Sequence, residues 1–501
     1  MSASIYFTDL FCGAGGSSTG LMSIPGVKVI MAANHWKLAI ETHAHNHPDT
    51  DHMCADISQT EPRMFPRTHG LWGSPECTNH SIAKGKKRVT NQPDLFGETI
   101  ADEAADRSRA TMWDMVRFAE YHHYEIMITE NVVDARNWIF FEPWLKCFDN
   151  MGYNHHIVYM NSMHAQLGGM PAPQSRDRMY VVFWKKGNRR PDFDRLRPMA
   201  YCPSCDKTVR ALQVFKKEPH WGRYRAQYAY RCPGKKCRFQ IVEPAWLPAS
   251  SAIDWSIPGT RIGDRPVKDY FKKGKFIGRG PLAPNTMERI RAGLERHGAN
   301  ARLSLDAVHG APIITDVDND VFATQTTAYT RSLLIPVEGR DGKKAMEVTD
   351  PLRTITSRNE TGVLTANNSM IVEYYGNGGV QPLDESIPTI TTTDRFAMIT
   401  NLRGTSPAHL ASSTDPVSDP LRTITAGGIH AGVAEWTNAD IEDLLFRMLT
   451  PEEYMRGMAF PGTYEMLGNQ REKVKLSGNA VCPPNARDLG IITVESLEGA
   501  A

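Results

Sequence analysis

The strongest constraint on this chain is a recurring join in its first 185 residues: short apolar runs close in turns rich in glycine or polar side chains. Ile5-Tyr6-Phe7 leads into Asp9-Leu10-Phe11-Cys12-Gly13-Ala14-Gly15-Gly16, and Val27-Lys28-Val29-Ile30-Met31 is a second such run. Gly70-Leu71-Trp72 precedes the turn at Gly73-Ser74-Pro75-Glu76-Cys77, and Glu125-Ile126-Met127-Ile128-Thr129 runs straight into Glu130. Met179 to Trp184 is a further buried-type strand, and Ala101 to His122 has helical spacing. The alternation predicts a doubly wound α/β sheet with functional residues at the carboxyl ends of its strands, where such sheets bind ligands.

A chain of 501 residues is too long for one core, since single cores stop growing at roughly 250–300 residues. From about 311 to 435 the composition turns to Thr, Gly, Pro and β-branched residues. Phe322-Ala323-Thr324-Gln325-Thr326, Arg353-Thr354-Ile355-Thr356, Pro388-Thr389-Ile390-Thr391 and Arg422-Thr423-Ile424-Thr425 repeat there, roughly 30–35 residues apart. We expect successive β-hairpins in a small domain. The predicted division is 1–190 for the first part of an α/β domain, 195–245 for a four-cysteine insert and 250–310 for a connecting helical segment. A β-rich domain at 311–435 and a return to the first domain at 440–495 complete it. Helices are expected from Asp440 through Leu449 and after Pro451, with Thr450 as N-cap.

Net charge is only +1, so charge alone gives no case for nucleic acid. Lys185 to Lys236 is locally basic and interleaved with Trp221, Tyr224, Tyr228 and Tyr230, which suits either a phosphate-binding surface with stacking groups or a solvated face. Of nine cysteines, Cys202, Cys205, Cys232 and Cys237 form a compact group in C-x₂-C…C-x₄-C spacing. Four thiolates so spaced predict a closed, structural zinc site folding an insert that has no core of its own. The N-terminus lacks a cationic stretch followed by an apolar run, and no segment is apolar enough to span a bilayer. We expect a cytoplasmic monomer without membrane contact.

The glycine turn lets backbone approach a nucleotide-like cofactor, and the helix start behind it offers N–H donors to an anionic group. Together with the Cys77 turn, Glu130-Asn131-Val132, Gln174-Ser175-Arg176-Asp177-Arg178 and Gly478-Asn479-Ala480-Val481, it makes five segments whose order resembles the C5-cytosine DNA methyltransferases.

That resemblance implies S-adenosylmethionine held by Phe11, Gly13, Gly15, Trp36, Asp56, Ile57 and Asn479. It implies Cys77 as nucleophile on cytosine C6, Glu130 at cytosine N3, Arg178 near the cytosine O2 and Arg176 as a supporting ion-pair residue. The implied substrate is a cytosine flipped from double-stranded DNA. Glu76 separates Pro75 from Cys77 where the family has a Pro-Cys dipeptide, and His35 stands where the family usually has an acid. His43, His45, His47 and His52 are read as solvated histidines at a helix end, not as a metal site. A cognate restriction enzyme stays open as a partner. So do an inactive DNA-binding relative, the same chemistry on RNA, and a modified sulfonium donor.

Overall fold

The computed structural model describes residues 4–75, 103–272, 274–291 apart from 285 and 289, and 441–498. Elsewhere it describes only backbone strands, between 92 and 100 and between 303 and 437. Seven strands make the central sheet: β1 Ile5–Leu10, β2 Val27–Asn34, β3 Asp51–Cys54, β4 Gly70–Gly73, β5 Ile126–Asn131, β6 Tyr153–Asn161 and β7 Asp177–Lys185. Their order is β3-β2-β1-β4-β5-β7-β6. Neighbours from β3 to β5 run parallel, and β7 is inserted antiparallel to both β5 and β6.

Side-chain alternation explains how one sheet serves two cores. Ile126 and Ile128 face a layer holding Phe7, Leu21, Leu489 and Ile492, whereas Met127 faces Leu71, Met115, Phe118 and Trp144. The first layer is covered by α1 (Gly16–Met22) and by the C-terminal helix Pro483–Glu498. The second is covered chiefly by α3 (Glu103–His122) and α4 (Phe141–Asn150), whereas α2 (Lys37–Asn46) packs Ala39 with Tyr454 and Val474 and Ile40 with Ala32. Residues near the two ends of the chain therefore share a core.

Close approach fixes that junction. A Cβ on Gly20 would stand 2.3 Å from the Pro483 carbonyl oxygen and 2.7 Å from the Ala486 Cβ. Gly20→Ala would ordinarily favour a helix, yet here we expect it to lower stability by about 1–3 kcal/mol through overpacking. The urea midpoint of the variant measures this, and an unchanged or raised midpoint would contradict the packing argument.

The structure corrects two local expectations. The helix expected over 440–449 is not formed by the described residues 441–449: a short 3₁₀ turn, Ile441–Asp443, gives way to the strand Leu444–Met448. That strand pairs with Thr361–Ala366 and Thr260–Arg261, so sheet pairing overrides local helical preference. Arg447 on it is clamped by Glu453 through two contacts of 2.8 Å, with the Glu453 side chain fully buried. The following helix, α5 (Pro451–Gly457), has Thr450 as N-cap and Pro451 at its start, as expected, in a capping box closed by Glu453.

The connecting segment is likewise not uniformly helical. Lys268–Lys272 and Lys275–Gly280 form a hairpin around Gly274, whose φ of 77° needs a residue without Cβ. An eight-stranded sheet joins Thr260–Arg261 and Leu444–Met448 to strands between 332 and 437. Of the threonine repeats, Leu352–Arg353 pairs in parallel with Gln174–Ser175, directly before Arg176. The remaining repeat residues lie largely outside those described. Among the described residues no helix is long and apolar enough to cross a membrane.

Candidate active site

Register gathers the sequence-predicted residues on one edge of the sheet. Leu10 pairs with Ala33 and Gly73, Asn34 with Cys54, and Gly73 with Thr129, so these parallel strands end together. The Phe11, His35, Asp56, Ser74 and Glu130 segments all leave from that edge. β1 and β4 are the neighbours at which strand succession changes direction, and ligands of doubly wound sheets bind at such a point.

On the β1 side, Phe11, Gly13 and Gly15 all have positive φ, at 58°, 54° and 84°. The left-handed backbone at Phe11 is strained, and its ring is held in the core of the α3 face. A Cβ on Gly13 would meet nothing within 4 Å, so that side of the loop is open. Beneath the loop lies a polar network that sequence reasoning missed. Buried Asp9 accepts from Ser17 Oγ at 2.5 Å and Ser18 Oγ at 2.7 Å; burial pushes its carboxyl up to about 7, against the pull of those hydroxyls.

The expectation of solvated histidines is overturned for His43 and His47, whereas His45 is exposed as expected and His52 is half-buried. His43 is fully buried, with Nε2 2.9 Å from Ser18 Oγ and Nδ1 2.8 Å from His52 Nε2, and burial holds it well below the usual imidazole range. His47, also buried, lies 3.1 Å from Thr19 Oγ1. Tyr464 donates to the Ala14 carbonyl. No local signal marks Tyr464, because its partner lies 450 residues away.

Of the other cofactor candidates, Trp36 follows the end of β2, and Asp56 and Ile57 follow the end of β3. Asn34 Oδ1 accepts from the Trp36 N–H at 2.9 Å, and the Lys475 ammonium stands 4.3 Å from the Trp36 ring centroid. His35 is exposed. Asp56 caps the turn Ile57–Gln59 through the Ser58 N–H, and Ile57 is buried. Asn479 is exposed at the end of α6 (Gln470–Asn479). A glycine-open loop, an aromatic face and polar groups at one sheet edge fit a nucleoside-type cofactor such as S-adenosylmethionine.

On the β4 side, Glu130 and Arg178 form an ion pair of 2.9 Å, their side chains only 11% and 12% exposed. Asn131 turns its amide N–H to the Pro75 carbonyl at 3.3 Å, tying β5 to the start of the Cys77 loop. Ser74 N–H is fixed to Leu10 O at 3.1 Å. Glu76 and Cys77 themselves lie outside the described residues. Arg176 is buried and donates to the Gly478 and Ala480 carbonyls at 3.3 and 2.9 Å, so it clamps the Gly478–Val481 segment. Burial, with Arg178 nearby, lowers it to about 10.

The four cysteines come together as the spacing predicts, with ligand atoms within 4.8 Å of one another. Gly234 N–H points at Cys232 Sγ at 3.3 Å, and a Cβ there would stand 3.0 Å from Cys205 Sγ. The insert does have a core, contrary to expectation. Tyr224, Tyr228 and Tyr230 are buried with Val209 and Ala211, continuous with the α3 face of the sheet. His164 meets Tyr224 and Tyr230 edge-on, so these aromatics pack inward and are not free to stack on bases.

A doubly wound sheet with a glycine turn at its switch point, beside a desolvated acid–guanidinium pair, suits a nucleoside-type cofactor without fixing the reaction. Comparison narrows the class. The profile of the C-5 cytosine-specific DNA methylases matches residues 5–219 and 345–491, reaching past the segments that carried the resemblance. Two type II methyltransferases of Herpetosiphon aurantiacus, M.HgiCII and M.HgiBI, are 28% and 22% identical over 97% of this chain and 95% of each relative. The Entamoeba histolytica methyltransferase EhMeth aligns with a TM-score of 0.44 at 11% identity, over 99% of each chain. The chain belongs to the C-5 cytosine-specific DNA methylase family.

Proposed function

We propose that this protein methylates C5 of a cytosine flipped out of double-stranded DNA, through a transient bond from Cys77 to C6. What carries the reading is the Glu130–Arg178 pair at the carboxyl edge, with Asn131 holding Pro75 two residues before Cys77. Cytosine C5 is a poor nucleophile until C6 is attacked. Thiolate addition makes the ring an enamine, and hydrogen bonding by Glu130 at N3 draws electrons from C6 as the bond forms. Arg178 keeps the Glu130 carboxylate oriented and offers its remaining N–H groups to the base O2. Bound S-adenosylmethionine supplies an electrophilic methyl group at C5. Loss of the C5 proton and elimination of the Cys77 thiolate then restore aromaticity, so the enzyme returns unchanged.

In this reading Phe11, Gly13, Gly15, Trp36, Asp56, Ile57 and Asn479 hold the cofactor, and Arg176 keeps the Asn479 segment in place. Digestion of duplex DNA to nucleosides after incubation with labelled S-adenosylmethionine tests the reaction. Label in 5-methylcytosine is expected; label at an exocyclic amine, or transfer to RNA and not to duplex DNA, contradicts the proposal. A type II restriction partner is consistent with the names of the relatives.

The cysteine cluster would hold one structural zinc ion, its four thiolates filling a tetrahedral shell and leaving no open position. Elemental analysis of purified protein is expected to find one zinc per chain. Cys205→Ser should lose most of it and weaken duplex binding, leaving S-adenosylmethionine affinity unchanged. Absence of zinc from the purified native protein would refute the assignment.

A further inference from the structure

Arg223 and Tyr224, neighbours in the insert, each grip an aspartate on a different catalytic strand end. Arg223 Nη2 reaches Asp134 Oδ2 at 2.5 Å, and Tyr224 N–H donates to Asp177 Oδ1 at 3.0 Å. Asp134 lies in the turn Val133–Asn137 that leaves β5 just after Glu130 and Asn131, and Asp177 begins β7 immediately before Arg178. Between those strands the last paired residues are Asn131 and Met179, so Arg178 already lies beyond the ladder. The Glu130–Arg178 contact thus joins Glu130, paired with Tyr180 inside the ladder, to a residue that on this side is one step past the last rung and pairs only with Met160 of β6. The Arg223–Tyr224 hook joins the two segments again past that last rung, at Asp134 and Asp177.

The hook is itself rigid. Arg223 N–H donates to Gln227 Oε1 at 2.8 Å and Gln227 N–H to Arg223 O at 2.9 Å. Gly222 has φ 132°, and a Cβ there would collide with Gln227 at 2.3 Å. Tyr224 is buried, and its hydroxyl bonds to Glu243. The strand Tyr228–Arg231 runs from this turn directly into Cys232 of the cysteine cluster. Its partner strand Leu212–Phe215 is docked on β6 by Gln213 Nε2 to the Tyr159 carbonyl, at 2.9 Å. Arg178 Nη1 in turn donates to the Asp177 carbonyl at 2.9 Å, which joins the gripped residue to the guanidinium.

We propose that Arg223 and Tyr224 are positioning residues for methyl transfer: the cysteine insert sets the geometry of Glu130 and Arg178 through Asp134 and Asp177. This rests on the proposed role of Glu130 and assigns the insert a task in the reaction itself, beyond DNA contact. Small displacements of a catalytic group lower rate far more than they lower binding, so the effect belongs in the chemical step.

The test is single-turnover methylation of duplex DNA at saturating S-adenosylmethionine. Arg223→Ala and Asp134→Asn are each expected to slow it by roughly ten- to a hundredfold. Cofactor affinity should stay native, and Arg223→Lys should recover part of the rate. In the pair Arg223→Ala with Glu130→Gln, the combined loss should not exceed that of Glu130→Gln alone, because both act through one contact. Asp134→Asn removes the charge without changing shape and carries the test if Arg223→Ala folds poorly. A native rate in Asp134→Asn, or additive losses in the double variant, would overturn the hook while leaving Glu130 its role. A native rate in Glu130→Gln would overturn the role of Glu130, and the hook with it.

Discussion

Replacing Cys77 with alanine is expected to lower methyl transfer by roughly 10⁴-fold or more, the scale on which loss of a covalent nucleophile acts. Duplex DNA and S-adenosylmethionine should still bind. The supports of the Cys77 loop are independent of the thiol: Ser74 N–H is fixed to Leu10 O, the Trp72 indole N–H donates to Ser74 Oγ at 3.0 Å, and Asn131 holds Pro75. The alanine variant therefore enters the loop with its stem in place. Cys12 offers the contrast. It is buried at the end of β1, and burial pushes its thiol well above the ordinary range, so it is packed and not poised to react. Cys12→Ala should cost stability and leave turnover within a few-fold of native. Measuring initial rates of both variants on one duplex separates the two roles. Near-native turnover in Cys77→Ala would end the nucleophile assignment.

Glu130→Gln is expected to slow single-turnover methylation by roughly 10²–10⁴-fold, the usual scale for a general acid–base group. The substitution keeps shape and size, so folding and the β5 pairing should survive. It removes the negative charge facing Arg178 in a nearly desolvated contact, and it removes the group that would share a proton with cytosine N3. That interaction strengthens only as the thiolate adds, so the loss should fall on the rate and not on S-adenosylmethionine affinity. A variant that binds cofactor weakly yet reacts at the native single-turnover rate would contradict the assigned role.

Much of the central sheet was legible because its signals are local. The run Ile126-Met127-Ile128 is buried on both faces, and such strands read as continuous apolar segments. Their endings carry glycines and carboxylates, but it is the ordered resemblance to the C5-cytosine DNA methyltransferases that singles out Phe11, Glu130 and Arg178. Residues 444–448 were not legible in the same way. Leu444 to Met448 has no local feature that excludes a helix, and only partners distant in sequence, Thr361–Ala366 and Thr260–Arg261, make it a strand.

The aromatic residues of the insert failed for a related reason. Tyrosine beside lysine and arginine suits both nucleic-acid stacking and a small buried core. Composition does not say which way Tyr224, Tyr228 and Tyr230 face; the sheet surface they pack against decides it. His43 and His47 illustrate the same limit, since histidines at a helix end look solvated until Ser18 and Thr19 of helix α1 are placed against them. Arg176 clamps two carbonyls at 478 and 480, a contact across about 300 positions of sequence that no local signal marks.

The central claim, a bond between Cys77 and cytosine C6, is tested most directly by trapping. With duplex DNA carrying 5-fluorocytosine at the target and S-adenosylmethionine present, fluorine at C5 cannot leave as a proton does, so elimination stalls after methylation. The account predicts a denaturation-stable protein–DNA complex whose cross-linked peptide contains Cys77, absent in Cys77→Ala. A complex joined through another residue, or methylated natural DNA with no trapped species on the fluorinated duplex, would contradict it.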